Sequence, residues 1–457
     1  MAIVQGAHLV WLDGLQLEGM AGAAKGLIEK CREVLGQLLG IPMVKEADAH
    51  YSETKDMVSV SPFSVTRLRV TEGSEPYSFL ADTTSANVGK ILRALQISKP
   101  ILLEGSPGIG KTSLVTALAE RVGVPVVRIN LSDQTDVSDL FGCDLPVEGG
   151  GAGEFNWRNG PFLEAMQQGH WILLDELNLA SQSVLEGLNA VFDHRGEAYI
   201  PELDKRFPLH PQTRVFACQN PLGEGGDRKG LPKSFLNRFS KVHMGGLSSC
   251  DLSLICNSLH PALGEEVVKR MVAFNCQLEK EVVRERRWGQ EGSPWEFNLR
   301  DLLRWCKAME SEGAVAPGRY VRLLYMAKMR RKEDKERVLQ IYRDMFEPDF
   351  PLMGGEGGLH LTESHIAVGE FQLSRGKHCV SMSALDILSN QAPTCELLAG
   401  CVKQGWPVVL TGEAGTGKSS LVQLLAALCS RPLAVLSLTH ATDTMELLGG
   451  FEQVNFD

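Results

Sequence analysis

The sequence contains the stretch Gly105-Ser106-Pro107-Gly108-Ile109-Gly110-Lys111-Thr112, which matches the phosphate-loop pattern G-x-x-x-x-G-K-[ST]. An apolar run at residues 100–103 precedes it and a helical pattern follows from residue 113, which is the strand–loop–helix context that the pattern requires. The glycines let backbone N–H groups turn toward phosphates, the lysine reaches the β- and γ-phosphates, and the threonine hydroxyl binds Mg²⁺. The stretch predicts an ATP·Mg²⁺ site in an α/β fold with a parallel sheet flanked by helices.

The loop occurs a second time, as Gly412-Glu413-Ala414-Gly415-Thr416-Gly417-Lys418-Ser419. The offset between the two lysines, Lys111 and Lys418, is also the offset at which the segment that starts at Thr135 recurs at Thr442. A period of this length indicates a duplicated domain and not a solenoid repeat. We expect the second copy to be incomplete in this chain, and whether its loop binds nucleotide is left open.

The composition is that of a globular protein with several domains. The 457 residues carry a formal net charge of −10, so nucleic acid is disfavoured as the main substrate, although a local basic patch remains compatible with this charge. The 11 cysteines show no C-x-x-C spacing, which favours reduced thiols and predicts no metal other than Mg²⁺. The apolar runs are far shorter than the roughly 18 residues of a membrane span, and we expect a soluble intracellular protein without a secretory signal.

An apolar strand pattern downstream of the loop lysine ends in two acids, Asp175 and Glu176. An aspartate at a strand tip holds the Mg²⁺ shell together with Thr112, and the next glutamate orients and deprotonates the water that attacks the γ-phosphate. A pair of helix-capping acids is the structural alternative. The apolar strand before them and the spacing from the loop favour the catalytic interpretation, on a strand that we expect to neighbour the loop strand.

Two further polar residues follow strand-like or helical patterns. Asn220 follows the apolar run at residues 213–218 and is a candidate for positioning the attacking water. A turn-forming Asn-Pro is the alternative. Arg238 is a candidate for compensating transition-state charge on a phosphoryl group, with a solvated surface arginine as the alternative.

Together these residues resemble the Walker A, Walker B, sensor 1 and arginine-finger positions of an AAA+ module. Residues 138–165 resemble the helix-2 insert, a glycine-turned hairpin of one AAA+ clade, and the stretches 175–189, 192–197, 230–239 and 442–453 are similar to the midasins, a family of very large concatenated AAA+ ATPases. The resemblance covers most of the chain beyond residue 55. It implies that Arg300 is sensor 2 in a helical lid, while an ordinary charged amphipathic helix explains the same stretch.

The resemblance also implies an organisation and a cellular role. Residues 1–55 are expected to be the tail of a preceding module, 56–247 the AAA+ core, 248–353 the helical lid, and 354–457 a linker and the truncated start of the next module. The implied partners are neighbouring AAA+ modules in a ring, and pre-60S ribosomal particles with their assembly factors in the nucleus. A nucleic-acid-dependent AAA+ motor and a nucleotide-binding scaffold without turnover remain the alternatives.

Overall fold

A computed structural model of the chain describes residues 6, 23–40, 50–69, 77–146, 155–221, 230–311, 313, 316–350, 358–376, 391–440, 442, 447 and 449. The chain divides into two units. The first comprises Met1–Pro317 and Lys328–Asp349, and the second comprises Gly318–Ala327 and Phe350–Asp457.

The strands of the first unit, in chain order, are β1 Tyr51–Glu53, β2 Met57–Val60, β3 Phe63–Thr66, β4 Ile101–Glu104, β5 Val126–Asn130, β6 Gly142–Pro146, β7 Phe155–Asn159, β8 Trp171–Asp175, β9 Glu197–Ile200, β10 Lys205–Pro208, β11 Val215–Gln219 and β12 Ser240–His243. Those of the second unit are β13 Leu359–Leu361, β14 His365–Val368 and β15 Phe371–Ser374.

The α-helices, also in chain order, are α1 Ala23–Leu39, α2 Asp82–Ala94, α3 Lys111–Val122, α4 Val137–Phe141, α5 Pro161–Gln168, α6 Gln182–Phe192, α7 Lys233–Leu236, α8 Ser249–Leu259, α9 Glu265–Leu278, α10 Leu299–Ser311, α11 Gly318–Leu324, α12 Lys332–Phe346, α13 Ala392–Gln404 and α14 Lys418–Leu428. A π-helical turn, Glu279–Arg284, continues α9.

The central sheet of the first unit is parallel, with the strand order β12–β4–β11–β8–β5. Its inner strands are apolar along most of their length because both faces are covered. Leu103 and Phe216 pack on one face against α2 and α3, while Leu102 and Leu174 pack on the other against α5 and α6. The predicted fold class, a P-loop α/β core with a helical lid, is confirmed.

One sequence expectation about the sheet is wrong. We expected the strand that ends in Asp175 to neighbour the loop strand, but β11 lies between β8 and β4. Parallel pairing is set by crossovers between distant segments, so the order along the chain does not give the order in the sheet. The inserted strand is the one that precedes Asn220, and it brings this residue to the middle of the sheet edge.

Antiparallel elements decorate the core of the first unit. Strands β6 and β7 pair in the region of the expected helix-2 insert, and the residues that join them, 147–154, lie outside the described residues. A second hairpin, β9–β10, precedes β11 and was not predicted from the sequence. Strands β1, β2 and β3 form a separate small sheet, and Val58 and Val60 of β2 pack into the core beside α2.

The lid of the first unit consists of α8, α9, α10 and α12. Its centre is aromatic: Phe274 meets Trp305 edge to face with ring centroids 5.7 Å apart, and Tyr342 stacks on Phe346 at 4.5 Å. Such pairs add about 0.5–1.5 kcal/mol each beyond the area they bury. After residue 248 the chain of the first unit thus changes from a sheet to a helical domain with its own core.

The second unit repeats elements of the first. Strands β13, β14 and β15 form an antiparallel sheet in the same order as β1, β2 and β3. In sequence, β14 precedes the second phosphate loop by nearly the same interval as β2 precedes the first. Helices α13 and α14 then flank the second loop. The duplication recognised from the loops therefore extends upstream into the small sheets.

Parts of two expectations lie outside the described residues. The proposed tail at residues 1–55 includes many of them, as does most of the repeated segment at residues 442–453. Across the described ranges, none of the helices combines the length and the apolar character needed to traverse a bilayer.

Candidate nucleotide site

The first phosphate loop joins β4 to α3, and two of its glycines have left-handed backbones. Gly108 has φ +78° and Gly110, the residue before the helix, has φ +86°. L-residues with a side chain rarely adopt these angles, so the glycines allow the tight curve between strand and helix. Lys111 and Thr112 consequently begin α3, where the helix N-terminus favours an anion.

The loop lysine is held in the site. Lys111 is only 8% exposed. Its Nζ donates to the carbonyl oxygens of Gly105 at 2.6 Å and Ser106 at 3.0 Å. It also donates to Asn220 Oδ1 at 2.7 Å. The buried ammonium is thus compensated by oxygen acceptors, as a buried charge must be.

The carboxylate of Asp175 lies beside the loop threonine. Thr112 Oγ1 donates to Asp175 Oδ2 at 3.1 Å, so the two predicted Mg²⁺ ligands are brought together. The same carboxylate oxygen accepts from Arg128 Nη2 at 2.6 Å. Arg128 is on β5, next to β8, and its side chain is 55% exposed. Asp175 therefore has a cationic partner that was not predicted from the sequence.

Glu176, the next residue, has an unusual backbone and an unsatisfied oxygen. Its φ is +55°, which is uncommon for a residue other than glycine, and such strained residues cluster at active sites. Its Oε1 accepts from Asn220 Nδ2 at 3.0 Å, while Oε2 is buried without a hydrogen-bond partner among the described residues. A carboxyl oxygen without a partner is a candidate acceptor for the proton of a water molecule.

Asn220 thus connects the two charged residues of the site. Its amide oxygen accepts from Lys111 and its amide nitrogen donates to Glu176, which fixes the orientation of the amide. Asn178 Nδ2 donates to the Asn220 backbone oxygen at 3.5 Å. On the same strand, burial raises the pKa of the Cys218 thiol to about 12, so this thiol stays neutral next to the carboxylates.

The donor set fits ATP·Mg²⁺. A glycine loop at a helix N-terminus and a lysine suit the phosphates, and a hydroxyl with a carboxylate suits Mg²⁺, which takes hard oxygen ligands. The buried oxygen of Glu176 supplies the acceptor that hydrolysis requires.

Neither of the two arginines predicted for the site forms a hydrogen bond to the Lys111 loop among the described residues. Arg238 follows α7, where its Nη1 donates to the Ser234 carbonyl at 2.9 Å, and among the described residues no hydrogen bond joins it to the Lys111 loop. Arg300 is exposed in the first turn of α10, and its backbone N–H donates to Asn298 Oδ1 at 3.0 Å. Their roles as arginine finger and sensor 2 remain predictions.

Sequence reasoning missed two residues near the loop. Arg128 is the charged residue in an otherwise apolar strand pattern, and this exception in the sequence is a signal that could have identified it. Asn298, just before α10, lies against Gly108, and its position before a helix indicates only a cap.

The second phosphate loop has the same local form in a different setting. Gly417 has φ +80°, and Lys418 Nζ donates to the carbonyl oxygens of Gly412 at 2.9 Å and Glu413 at 2.6 Å. Within the part of the chain that the structure describes, no carboxylate or asparagine side chain bonds to this lysine. Val409, in the run before the loop, is 87% exposed.

Comparison with known proteins gives two family matches. The AAA domain of the dynein-related subfamily matches residues 100–239 and 407–455, which include both phosphate loops. The midasin AAA lid domain matches residues 251–348, which include the helices of the lid.

The chain is also similar to individual proteins. A midasin of Dictyostelium discoideum is 42% identical over 435 residues, which is 89% of this chain and 7% of that protein. A midasin of Giardia intestinalis is 37% identical over 402 residues, with 82% of this chain and 8% of the relative covered. An uncharacterized protein of Staphylococcus aureus (strain USA300) is 29% identical over 201 residues, 43% of this chain and 74% of that protein. The chain therefore spans less than a tenth of the length of either midasin.

Proposed function

Since this chain belongs to the midasin family of dynein-related AAA+ proteins, we propose that it binds ATP·Mg²⁺ at the Lys111 loop and hydrolyses the γ-phosphate bond. Gly105 to Thr112 bind the phosphates. Lys111 Nζ exchanges one of its hydrogen bonds to a backbone carbonyl for a bond to the β- and γ-phosphate oxygens. Thr112 and Asp175 would hold Mg²⁺, which would neutralise charge on the phosphates.

Glu176 and Asn220 carry the chemical step in this proposal. The buried Oε2 of Glu176 takes the proton of the attacking water, and the amide of Asn220 holds the other carboxylate oxygen so that Oε2 keeps its direction. The single observation that carries the proposal is the chain of hydrogen bonds from Lys111 through Asn220 to Glu176, because it joins the phosphate-binding group to the base.

The proposal is tested on the purified chain with two lysine variants. Lys111→Ala removes the cation that the loop aims at the phosphates, and we expect it to abolish Mg·ATP binding at this loop and phosphate release. Lys418→Ala is the matched control. It makes the same change in the second loop, where no counterpart of Asp175 or Glu176 is found among the described partners of the lysine. Equal loss of phosphate release in both variants would contradict the assignment of turnover to the first loop.

The domain roles are part of the proposal. Residues 56–247 are the AAA+ core, residues 248–353 are the lid, and hydrolysis moves the core against the lid. Arg238 serves as an arginine finger for a neighbouring module in a ring. The loop at Gly412 to Ser419 belongs to the next module, and Arg300 acts as sensor 2.

The cellular role is proposed from the family resemblance. In this proposal the module works in a ring of concatenated AAA+ modules that releases assembly factors from pre-60S ribosomal particles in the nucleus. The two midasins support it by their names and by identities of 42% and 37% over most of this chain. The Staphylococcus relative, which covers 43% of this chain, adds no assignment.

A further inference from the structure

A residue of the lid lies against the phosphate loop. A Cβ atom added to Gly108 would lie 2.5 Å from Cγ and 2.8 Å from Cβ of Asn298, distances that real Cβ atoms do not show. Position 108 must therefore be glycine for two reasons, its left-handed backbone and the side chain packed on it. If Gly108 moves toward Asn298, the Asn298 side chain must move as well, because no empty space separates the two residues.

The lid holds Asn298 firmly. Its Oδ1 accepts from the Arg300 backbone N–H and its Nδ2 donates to Glu296 Oε2, both at 3.0 Å. The carbonyl of the preceding residue, Phe297, accepts from Asn275 Nδ2 at 3.2 Å, and Asn275 is buried within α9. Asn298 is thus tied to the two lid helices α9 and α10, and a displacement of its side chain is passed to them.

Among the described residues, no side chain packs on the corresponding glycine of the second phosphate loop. Gly415 is the counterpart of Gly108, since each is the second glycine of its loop, and its φ is +81° against +78°. A Cβ added there meets no atom of the described residues within 4 Å. In the second loop the left-handed backbone of this glycine therefore forms without a described side chain packed on it.

We propose that Asn298 is a positioning residue that couples the conformation of the Lys111 loop to the lid through Gly108. The inference rests on the proposed function, because it assumes that phosphates bind this loop. When the backbone N–H groups of residues 108–111 turn toward the phosphates, Gly108 moves, and the packed amide of Asn298 carries that movement to the start of α10. Coupling of this kind is a free energy shared by two sites, so loop and lid must each respond to the other.

The test uses hydrogen exchange of the first turn of α10, residues 299–302, with and without Mg·ATP. In the wild-type chain we expect nucleotide to change exchange in this turn. Asn298→Ala should abolish that change and weaken ATP binding by about fivefold or more, the lower end of typical coupling between sites. Asn298→Ser is the matched control for helix capping, because its hydroxyl still accepts from the Arg300 N–H but does not reach Gly108.

A second pair of variants keeps the test decisive if the first variant is unstable. Gly108→Ala clashes with both Cβ and Cγ of Asn298, so adding Asn298→Gly, which removes both atoms, should recover part of the lost ATP affinity, whereas Gly415→Ala carries the same backbone strain without a clash among the described residues. An ATP-dependent change in α10 that persists in both Asn298 variants, or a double variant no better than Gly108→Ala, would overturn the coupling. A wild-type chain that binds no ATP in titrations would overturn the proposed function itself.

Discussion

The Lys111 ammonium nitrogen lies 2.7 Å from Oδ1 of Asn220, and the amide nitrogen of the same asparagine lies 3.0 Å from Glu176 Oε1. One amide therefore contacts both the proposed phosphate-binding group and the proposed base. Since β11 lies between β4 and β8, the residue that follows β11 is placed between the loop lysine and the acids. The arrangement explains why an uncharged residue belongs among the charged residues of the site.

Asn220→Ala should lower turnover far more than it lowers ATP affinity. The substitution frees the Glu176 carboxylate to rotate, and a positioned base is worth roughly 10²–10⁴-fold in rate. We expect phosphate release to fall by about 10²-fold at saturating ATP, measured beside a nucleotide-binding titration. Asn220→Asp is a useful comparison, because it keeps the acceptor for Lys111 and loses the donor to Glu176. A parallel fall in affinity and turnover would show that Asn220 serves binding only.

Arg128→Gln should reduce the Mg²⁺ concentration needed for nucleotide binding. Arg128 Nη2 lies 2.6 Å from the Asp175 oxygen that also accepts from Thr112, so the guanidinium competes with the metal for this carboxylate. Exposed ion pairs contribute about 0.2–1 kcal/mol, which corresponds to a shift of up to about fivefold in the Mg²⁺ midpoint. A Mg²⁺ titration of fluorescent-nucleotide binding measures this midpoint in the wild-type chain and in the variant. An unchanged or higher midpoint would contradict the competition.

Glu281 should make the stability of the lid depend on pH in the acid range. Burial alone would raise the pKa of Glu281, but Arg337, Trp288 and Gln277 donate to its carboxylate and lower the pKa to about 2. The native pKa lies below the ordinary value of 4.5, so the contribution is present above about pH 4.5 and is lost as the pH falls toward 2. Urea unfolding between pH 6 and pH 3 measures this loss.

The control for this prediction is Glu281→Gln. The variant should unfold more easily at pH 7 by about 1–3 kcal/mol, because it breaks hydrogen bonds to a charged group. It should also lose part of the acid dependence of the wild-type chain. If the two chains lose stability in parallel between pH 6 and pH 3, another carboxylate is responsible.

Arg238→Ala should leave turnover at the Lys111 loop of the same chain unchanged. Arg238 donates to the backbone carbonyl of Ser234 in α7, and in a ring it would act on a neighbouring module. Within the complete ring the substitution should depress turnover at that neighbour, since an arginine finger is worth about 10³–10⁵-fold. Phosphate release by the isolated chain and by the ring separates the two effects. Brisk activity of the isolated chain that disappears with Arg238→Ala would show action in cis.

The sequence was informative where the chemistry is local. Both phosphate loops, the acids at the end of β8 and the asparagine after β11 follow from strand–loop patterns within a few residues of each other. The neighbour relation of β8 and β4 was wrong because strand order depends on crossovers, which leave no local pattern. The sequence predicted neither the small sheet β1–β3 nor its copy β13–β15 as a sheet, because their strands are very short.

Arg128 and Asn298 could not be assigned for a different reason. Each acts across the fold on a residue far away in sequence, Arg128 on Asp175 and Asn298 on Gly108. An arginine in a strand and an asparagine before a helix both have ordinary local explanations. Only the packing of β5 beside β8, and of the lid beside the loop, gives these residues their place.

Glu176→Gln is the sharpest test of whether Glu176 is the base of the Lys111 site. Glutamine keeps the shape of the side chain and one acceptor but cannot take a proton. We expect Mg·ATP to bind Glu176→Gln at least as tightly as the wild-type chain, while phosphate release in a single-turnover measurement falls by about 10²-fold or more. Wild-type rates of phosphate release in this variant, or a loss of ATP binding equal to that of Lys111→Ala, would contradict the account.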